Sequence, residues 1–272
     1  DSDGNELWRN IYGSSSDSEF VSIVEDNNGN YVMAGHHEAN AWGYVIDKIG
    51  TEVLSKTSGA TNYRYQYEEV MINSAGNYVF IGESVSSGGA ASFCYTSSGY
   101  SYFSYQFYFN SYFVEYDNVG NEVAKTESIT HTGYATSCRS SSPGTTVQNQ
   151  GQFIKIIEIE DGYIAIGKAG STYNIYKLST NGTIVKTIAI GINSTADLME
   201  DERGNIIVVS NSKVYTLNKS LDIINERVET GVFYDMFERA DGKYYVIGNV
   251  GTNGLIYLIE PEVLISYLSD IE

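Results

Sequence analysis

The chain has 272 residues, 34 acidic against 16 basic side chains, a formal net charge of −18 and two cysteines. That balance opposes binding to phosphate backbones, where affinity comes from Lys and Arg, so nucleic acid is not an expected partner. No apolar run reaches the length of a membrane span and no basic amphipathic segment points to a lipid surface, while the length suffices to bury a sizeable core.

The first residues, Ser2-Asp-Gly-Asn-Glu-Leu-Trp-Arg-Asn-Ile-Tyr12, read as a turn followed by a strand with no partner strands before it. Asp1, Asp3 and Asn5 have part of the spacing of a calcium loop but not its later ligands, which leaves a hairpin turn. From there a six-residue phrase recurs five times: Asn30-Tyr-Val-Met-Ala-Gly35, Asn77-Tyr-Val-Phe-Ile-Gly82, Gly162-Tyr-Ile-Ala-Ile-Gly167, Asn205-Ile-Ile-Val-Val-Ser210 and Lys243-Tyr-Tyr-Val-Ile-Gly248. Repetition at roughly 40-residue spacing marks an array whose units bury a face against one another.

Each phrase follows a short apolar strand: Phe20–Val24, Tyr67–Ile72, Phe153–Ile159, Ala196–Met199 and Phe233–Phe237. A third strand comes after it, at Tyr44–Asp47, Tyr112–Tyr116, Tyr173–Leu178, Val214–Leu217 and Leu255–Ile259. The first four units add a fourth, at Glu52–Lys56, Glu122–Thr126, Thr183–Ile188 and Ile223–Val228. Runs of Val, Ile and Tyr separated by Asn-Gly, Asp-Gly or Gly-Asn turns are antiparallel hairpins, and four strands per unit make propeller blades. The expected fold is therefore all-β, a single five-bladed β-propeller of four-stranded antiparallel blades spanning residues 1–272. The long interval between the second and third phrases holds one further third-and-fourth-strand unit, Tyr112–Thr126, so its excess reads as insertions at 85–110 and 130–150 rather than a sixth blade.

Two readings of the ends compete. Pro261 opens a segment in which Val263, Leu264, Tyr267, Leu268 and Ile271 follow helical spacing. The last blade then lacks a fourth strand, and Glu6–Ile11 is expected to supply it and close the ring. Alternatively Leu264–Leu268 is a final strand and the N-terminal one is surplus.

Glu25–Lys56 and Asp3–Gly13 carry a likeness to secreted bacterial propeller repeats of the form Asp-Gly-Gly-Tyr-Val-x-x-Gly followed by Lys-x-Asp-x-x-Gly-Asn-x-x-Trp, and the later blades match more loosely. The resemblance implies a secreted or surface propeller and carries no catalytic residues onto this chain. Acidic balance, 24 Tyr and only two Cys point the same way, to an extracellular or cell-surface location. A start at Asp1 fits a processed mature chain and a trimmed one equally well. Asn181, Asn193 and Asn218 head Asn-x-Ser/Thr triplets that would accept glycans in a eukaryotic secretory route.

In an up-and-down blade the loops joining strands two and three share one face with the loops joining blades. Trp42, Tyr63, Tyr65, Tyr100, Tyr102, Tyr105 and His131 are expected on that face, with both insertions, and they are the candidate ligand or partner surface. Cys94 lies in one insertion and Cys138 in the other, so a disulfide between them is expected. The run Tyr100–Phe109 alternates aromatic and small polar residues, which suggests an extra hairpin with one aromatic face suited to sugar stacking or protein contact.

His36 and His37 are adjacent and point to opposite faces of an extended strand, which disfavours chelation, and neither a metal nor a cofactor is expected. No Gly-x-Ser-x-Gly elbow and no phosphate-binding glycine loop occurs. The expected function is a non-enzymatic binding or assembly module, with protein partners or self-association favoured over glycan. The alternative is a glycoside hydrolase using axial carboxylates, for which Asp197 and Asp235, near the starts of first strands, are the candidate positions.

Overall fold

A computed structural model describes residues 5–6, 8–13, 17–59, 64–95, 101–136, 150–170, 172–192, 196–238 and 243–259; within 86–95, 101–108 and 129–136 the description is of the backbone. Three four-stranded antiparallel sheets follow one another. They are β1 (Ser18–Glu25), β2 (Tyr31–His37), β3 (Asn40–Ile46) and β4 (Glu52–Ser58); β5 (Arg64–Ile72), β6 (Tyr78–Tyr95), β7 (Ser101–Tyr116) and β8 (Glu122–Thr136); and β9 (Gln150–Ile159), β10 (Gly162–Gly170), β11 (Thr172–Leu178) and β12 (Ile184–Ile192). Each is a meander in sequence order, the form of a propeller blade.

The remaining strands, β13 (Ala196–Glu200), β14 (Ile206–Leu217), β15 (Ile223–Glu238), β16 (Tyr244–Val250) and β17 (Asn253–Ile259), form one five-stranded sheet. Partners change part-way along two of them. β14 pairs with β13 through Ile206–Ser210 and with β15 mainly through Lys213–Leu217. β15 in turn pairs with β14 mainly through Ile223–Val228 and with β16 through Val232–Glu238. The sheet therefore contains the four strands of a fourth blade running on into the first three of a fifth.

One turn chemistry builds most of the hairpins. In Asp26–Asn30 the Asp26 carboxylate accepts from the Asn28 and Asn30 amides at 2.8 Å, the Gly29 amide donates to the Asp26 carbonyl, and the Asp26 amide donates to the Asn30 carbonyl. The same backbone pattern recurs at Asp47, Asn73, Asp117, Ser179, Asp201 and Asn218. The fourth residue needs positive φ, and Gly supplies it in every case but the last, where Leu221 holds φ 61° and buries its side chain.

A second rule explains the glycine that ends the phrase. Opposite Gly35 the first strand bulges between Phe20 and Ser22, and a Cβ there would lie 1.8 Å from the Glu19 carbonyl oxygen. Gly82, Gly167 and Gly248 face the same irregularity. The fourth blade has no bulge at this place, and its phrase ends in Ser210.

Alternate residues of each phrase face opposite neighbours. Val32 and Ala34 pack toward Tyr78, Phe80 and Tyr112 of the second blade. Val79 and Ile81 pack toward Tyr163, Ala165 and Tyr176 of the third, and Ile164 and Ile166 toward Ile206, Val208 and Tyr215 of the fourth. Ile207 and Val209 pack toward Tyr244 and Val246 of the fifth. Full burial of one such aliphatic or aromatic side chain contributes about 1.5–3 kcal/mol, so these four interfaces hold the array together.

Residues 8–13 form no strand ladder. Trp8 Nε1 donates to the Lys48 carbonyl at 3.2 Å and the Tyr12 hydroxyl to the Gly50 carbonyl at 2.7 Å, so the segment lies against the third-to-fourth-strand turn of the first blade. The C-terminal segment from Pro261 onward lies outside the described residues.

Candidate functional site

The first strands of successive blades meet one another, β1 with β5, β5 with β9 and β9 with β13, which puts them at the centre of the array. At one register position they present Ser22, Glu69, Lys155, Asp197 and Asp235, opposite Ala34, Ile81, Ile166, Val209 and Ile247 respectively. In four of the five strands the bulge lies just before this position and re-aims the side chain.

Neighbours in this row touch. Ser22 Oγ accepts from the Val70 amide at 3.3 Å. Lys155 Nζ lies 3.4 Å from Glu69 and 3.6 Å from Asp197, bridging two carboxylates. The Met236 amide donates to both Asp197, at 3.0 Å, and Asp235, at 2.9 Å.

Electrostatics follow the burial. Burial and then the hydrogen bond shared with Asp235 push the Asp197 carboxyl up to about 7, against the pull of Lys155. Burial also raises Glu69, and Lys155 offsets part of that rise. Burial works against the Lys155 charge, but the surrounding Glu69 and Asp197 carboxylates hold its ammonium above the usual range. A cationic centre thus sits between carboxylates, one of which keeps its proton toward neutral pH. Such a set can bind polar groups or move a proton.

Beside the row, burial and then the charge of Glu83 push Glu68 up to about 7. Glu83 is itself buried, and its Oε2 has no hydrogen-bond partner.

The expected aromatic face is divided by the structure. Trp42 is in β3 rather than a loop, buried, stacked 4.6 Å from Phe20, with Nε1 donating to Ser55 Oγ at 3.0 Å. Tyr65 is buried in β5 with its ring edge-on to Tyr112 at 5.5 Å. Both are core residues of blade faces, which corrects the expectation that their rings are displayed. Strict alternation of Trp42 with Tyr44 and Ile46 was the sequence signal for this.

Tyr102 and Tyr105 are in β7 and His131 in β8. Tyr102 pairs with Cys94, and Tyr105 with Ala90 on one side and Ala135 on the other, with a register shift between Ala90 and Ser92. Tyr63, Tyr100, Cys138 and Asn193 lie outside the described residues, so Cys94 is seen here without its expected partner.

The extra hairpin is the continuation of the blade itself. β6 and β7 remain paired from Tyr78 and Tyr116 out to Tyr95 and Ser101, and β8 follows β7 as far as Thr136. A three-stranded ribbon thus extends from the second blade, on the face of the loops joining strands two and three.

His36 is buried, with Nε2 3.3 Å from Asp17 Oδ1, and His37 Nδ1 is 2.7 Å from Ser18 Oγ. Among the described residues no group of three His, Cys, Asp or Glu side chains could hold a metal ion, and no helix is long and apolar enough to cross a membrane. Asn181 and Asn218 sit in tight turns, their side-chain oxygens accepting from the Thr183 and Asp222 amides. A crevice of about 390 Å³ between the third and fourth blades is lined by Asp161, Lys177, Lys186 and Asp222, already joined in ion pairs at 2.8 and 3.0 Å.

The fold resembles that of known propellers. A protein of unknown function from Bacteroides caccae superposes with a TM-score of 0.52 at 14% identity, covering 91% of this chain and 76% of that one. Virginiamycin B lyase from Staphylococcus aureus superposes with a TM-score of 0.50 at 12% identity, covering 90% of this chain and 71% of that one. No protein-family model matches the sequence, and no curated protein matches it. At these identities the likeness defines the class, a β-propeller, and nothing about activity.

Proposed function

We propose that this chain is a secreted or cell-surface propeller that works by binding, through the face from which the second blade's ribbon extends, with a protein chain as the favoured partner and glycan as the other. The observation that carries this reading is the prolongation of β6, β7 and β8 beyond the repeat. The packing of this blade on its neighbours is provided by residues of the repeat, among them Tyr78, Phe80, Ile81, Tyr112 and Phe113. An aromatic, Ser-rich ribbon of this kind offers large contact area at low entropic cost. The expected Cys94–Cys138 bridge would tie it to the loop that follows, in keeping with export.

The test is to replace residues 87–107 by a two-residue Asn-Gly turn and measure self-association by light scattering and glycan binding on an array. The reading expects association or glycan binding to be lost while the melting midpoint stays within a few degrees. Unchanged binding would reject it.

A second reading has one observation in its favour, the convergence of Glu69, Asp197 and Asp235 around Lys155. A glycoside hydrolase needs two carboxyl groups about 5–9.5 Å apart, and here Glu69 and Asp197 both lie against Lys155 Nζ while Asp197 and Asp235 both accept from the Met236 amide. Release of sugar from a panel of glycosides, abolished by Asp197→Asn, would establish the hydrolase.

A further inference from the structure

On the ribbon side of the axial row the blades carry a second set of polar positions. Each phrase is followed by a polar residue, His36, Glu83, Lys168, Asn211 and Asn249, whereas the residues two places earlier, Ala34, Ile81, Ile166, Val209 and Ile247, are all apolar. The first-strand partners of the leading three, Glu19, Gln66 and Gln152, are polar as well. The apolar boundaries between blades therefore end at this level, and side chains that hydrogen-bond take their place.

In the second blade this level is acidic and one of its acids is unpaired. The bulge places Glu68 between Tyr67 and Glu69, across from Gly82, and Glu83 follows Gly82 in the partner strand, so two carboxyl groups flank a residue that has no side chain. Glu83 is 4% exposed, and its buried Oε2 has no hydrogen-bond partner. Arg64 and Lys168 favour the Glu83 charge, but neither gives Oε2 a donor, and Arg64 donates to Gln66 Oε1 at 2.9 Å. Glu68 is half-buried; burial, then Glu83, and more weakly Glu19 oppose its charge, while Arg64 favours it. Glu69, next in the chain, is already held by Lys155 at 3.4 Å. A buried carboxylate oxygen without a donor is costly, and the cost is relieved when a donor arrives. Half-buried Gln66, Glu68, Gln152 and Lys168 stand at the same level and leave an approach open.

We propose that Glu68 and Glu83 bind an organic ammonium group, the primary amine of a small ligand or of a lysyl side chain, which donates to Glu83 Oε2 and to the Glu68 carboxylate. Charge decides between the possible donors. Glu68, Glu69, Glu83, Asp197 and Asp235 are set against Arg64, Lys155 and Lys168, five carboxyl groups against three cations. A neutral hydroxyl would take the pair further from water without neutralising it, whereas an ammonium brings a positive charge and three donors. A divalent metal fits less well, because among the described residues no group of three ligating side chains stands together. The site uses the part of β6 that is paired with β5, so it stands whether or not the ribbon beyond Val85 binds a partner.

The experiment is titration calorimetry on the whole chain in about 0.1 M KCl, which screens the general attraction of an acidic chain for cations. The probes are cadaverine, N-acetyl-lysine amide and, as the uncharged counterpart, 1,5-pentanediol. The site predicts that an ammonium probe binds and the diol does not, and that affinity falls about tenfold or more in Glu68→Gln and in Glu83→Gln. It predicts no loss in Glu160→Gln, which removes an exposed carboxylate elsewhere. Binding is also expected to release a proton near neutral pH, read as a heat that depends on the buffer, because an ammonium beside Glu68 favours its charged form. Tighter binding of cadaverine supports a free amine as the ligand, and tighter binding of the lysine amide supports a lysyl side chain. Diol binding as tight as that of cadaverine overturns the proposal in favour of hydroxyl donors. No binding of any probe at millimolar concentration overturns the site, and so does a loss in Glu160→Gln equal to that in Glu68→Gln. Should Glu83→Gln fail to fold, Glu68→Gln, at a half-buried position, carries the test with the same outcomes.

Discussion

The boundary between the second and third blades and the place where the fifth should meet the first are made of the same sequence pattern, yet one is packed and the other is not. In the packed boundary Ile81 and Phe113 lie fully buried against Phe153, Tyr163 and Tyr176. At the other, residues of the same register and type face outward. The difference is not chemical, since Ile247 and Ile256 are as apolar as Ile81 and Phe113. It lies in whether a blade stands opposite, which is what each unit of a repeat array needs from its neighbour.

The largest expected effect sharpens this contrast. Phe113→Ala removes a fully buried ring from a formed boundary and is expected to cost about 3–5 kcal/mol in urea unfolding. Ile256→Ala, at the same register in β17, is expected to cost about 2–4 kcal/mol if that face is docked, against roughly 0.5 kcal/mol for a solvent-facing site. An effect at the lower figure would break the analogy between the two boundaries.

Next in size is the exceptional turn. Leu221→Gly relieves a positive φ, worth about 1 kcal/mol, but removes a side chain buried among Leu217, Tyr215 and Ile206. The burial dominates at about 2–5 kcal/mol, so a net loss of about 1–4 kcal/mol is expected. A gain in stability would mean that Leu221 is not part of the boundary core.

The axial row predicts a pH dependence. Asp197 is raised from an ordinary carboxylate value to about 7, so between about 4 and 7 the folded chain binds a proton that the unfolded chain has released. That contribution is fully present below the ordinary value and is lost as pH rises through about 7. The midpoint is expected to fall on going from pH 5 to pH 8, with Glu68 contributing in the same sense. Asp197→Asn carries no titrating proton and is expected to flatten that profile. An equally steep profile in the variant would place the titration elsewhere.

The smallest effect belongs to the rim. Thr126→Ala removes one exposed hydrogen bond and is expected to cost about 0.5–1 kcal/mol, visible as a small midpoint shift.

Much of this fold was legible in the sequence because backbone rules are local. Asp26-Asn-Asn-Gly29 and its kin specify a turn by themselves, and the Tyr-Val-x-x-Gly phrase specifies a strand and its bulge. The axial row was not legible as a set. Its members are five positions of four residue types, and only Asp197 and Asp235 were singled out; the usable signal was the place two residues beyond Phe20, Tyr67, Phe153 and Phe233. Trp42 and Tyr65 misled because a large aromatic beside a loop looks the same in sequence whether it is displayed or is the last residue of a buried stripe.

The most direct test of the closed array is amide hydrogen exchange, resolved by residue, along β17. In β11, the third strand of a complete blade, both edges are paired, to β10 and β12. If residues 8–12 complete the fifth blade, the amides of Leu255–Leu258 are expected to be protected at every position as in β11, and deletion of residues 5–12 to release every second one. Alternating fast exchange along β17 in the intact chain would contradict the account.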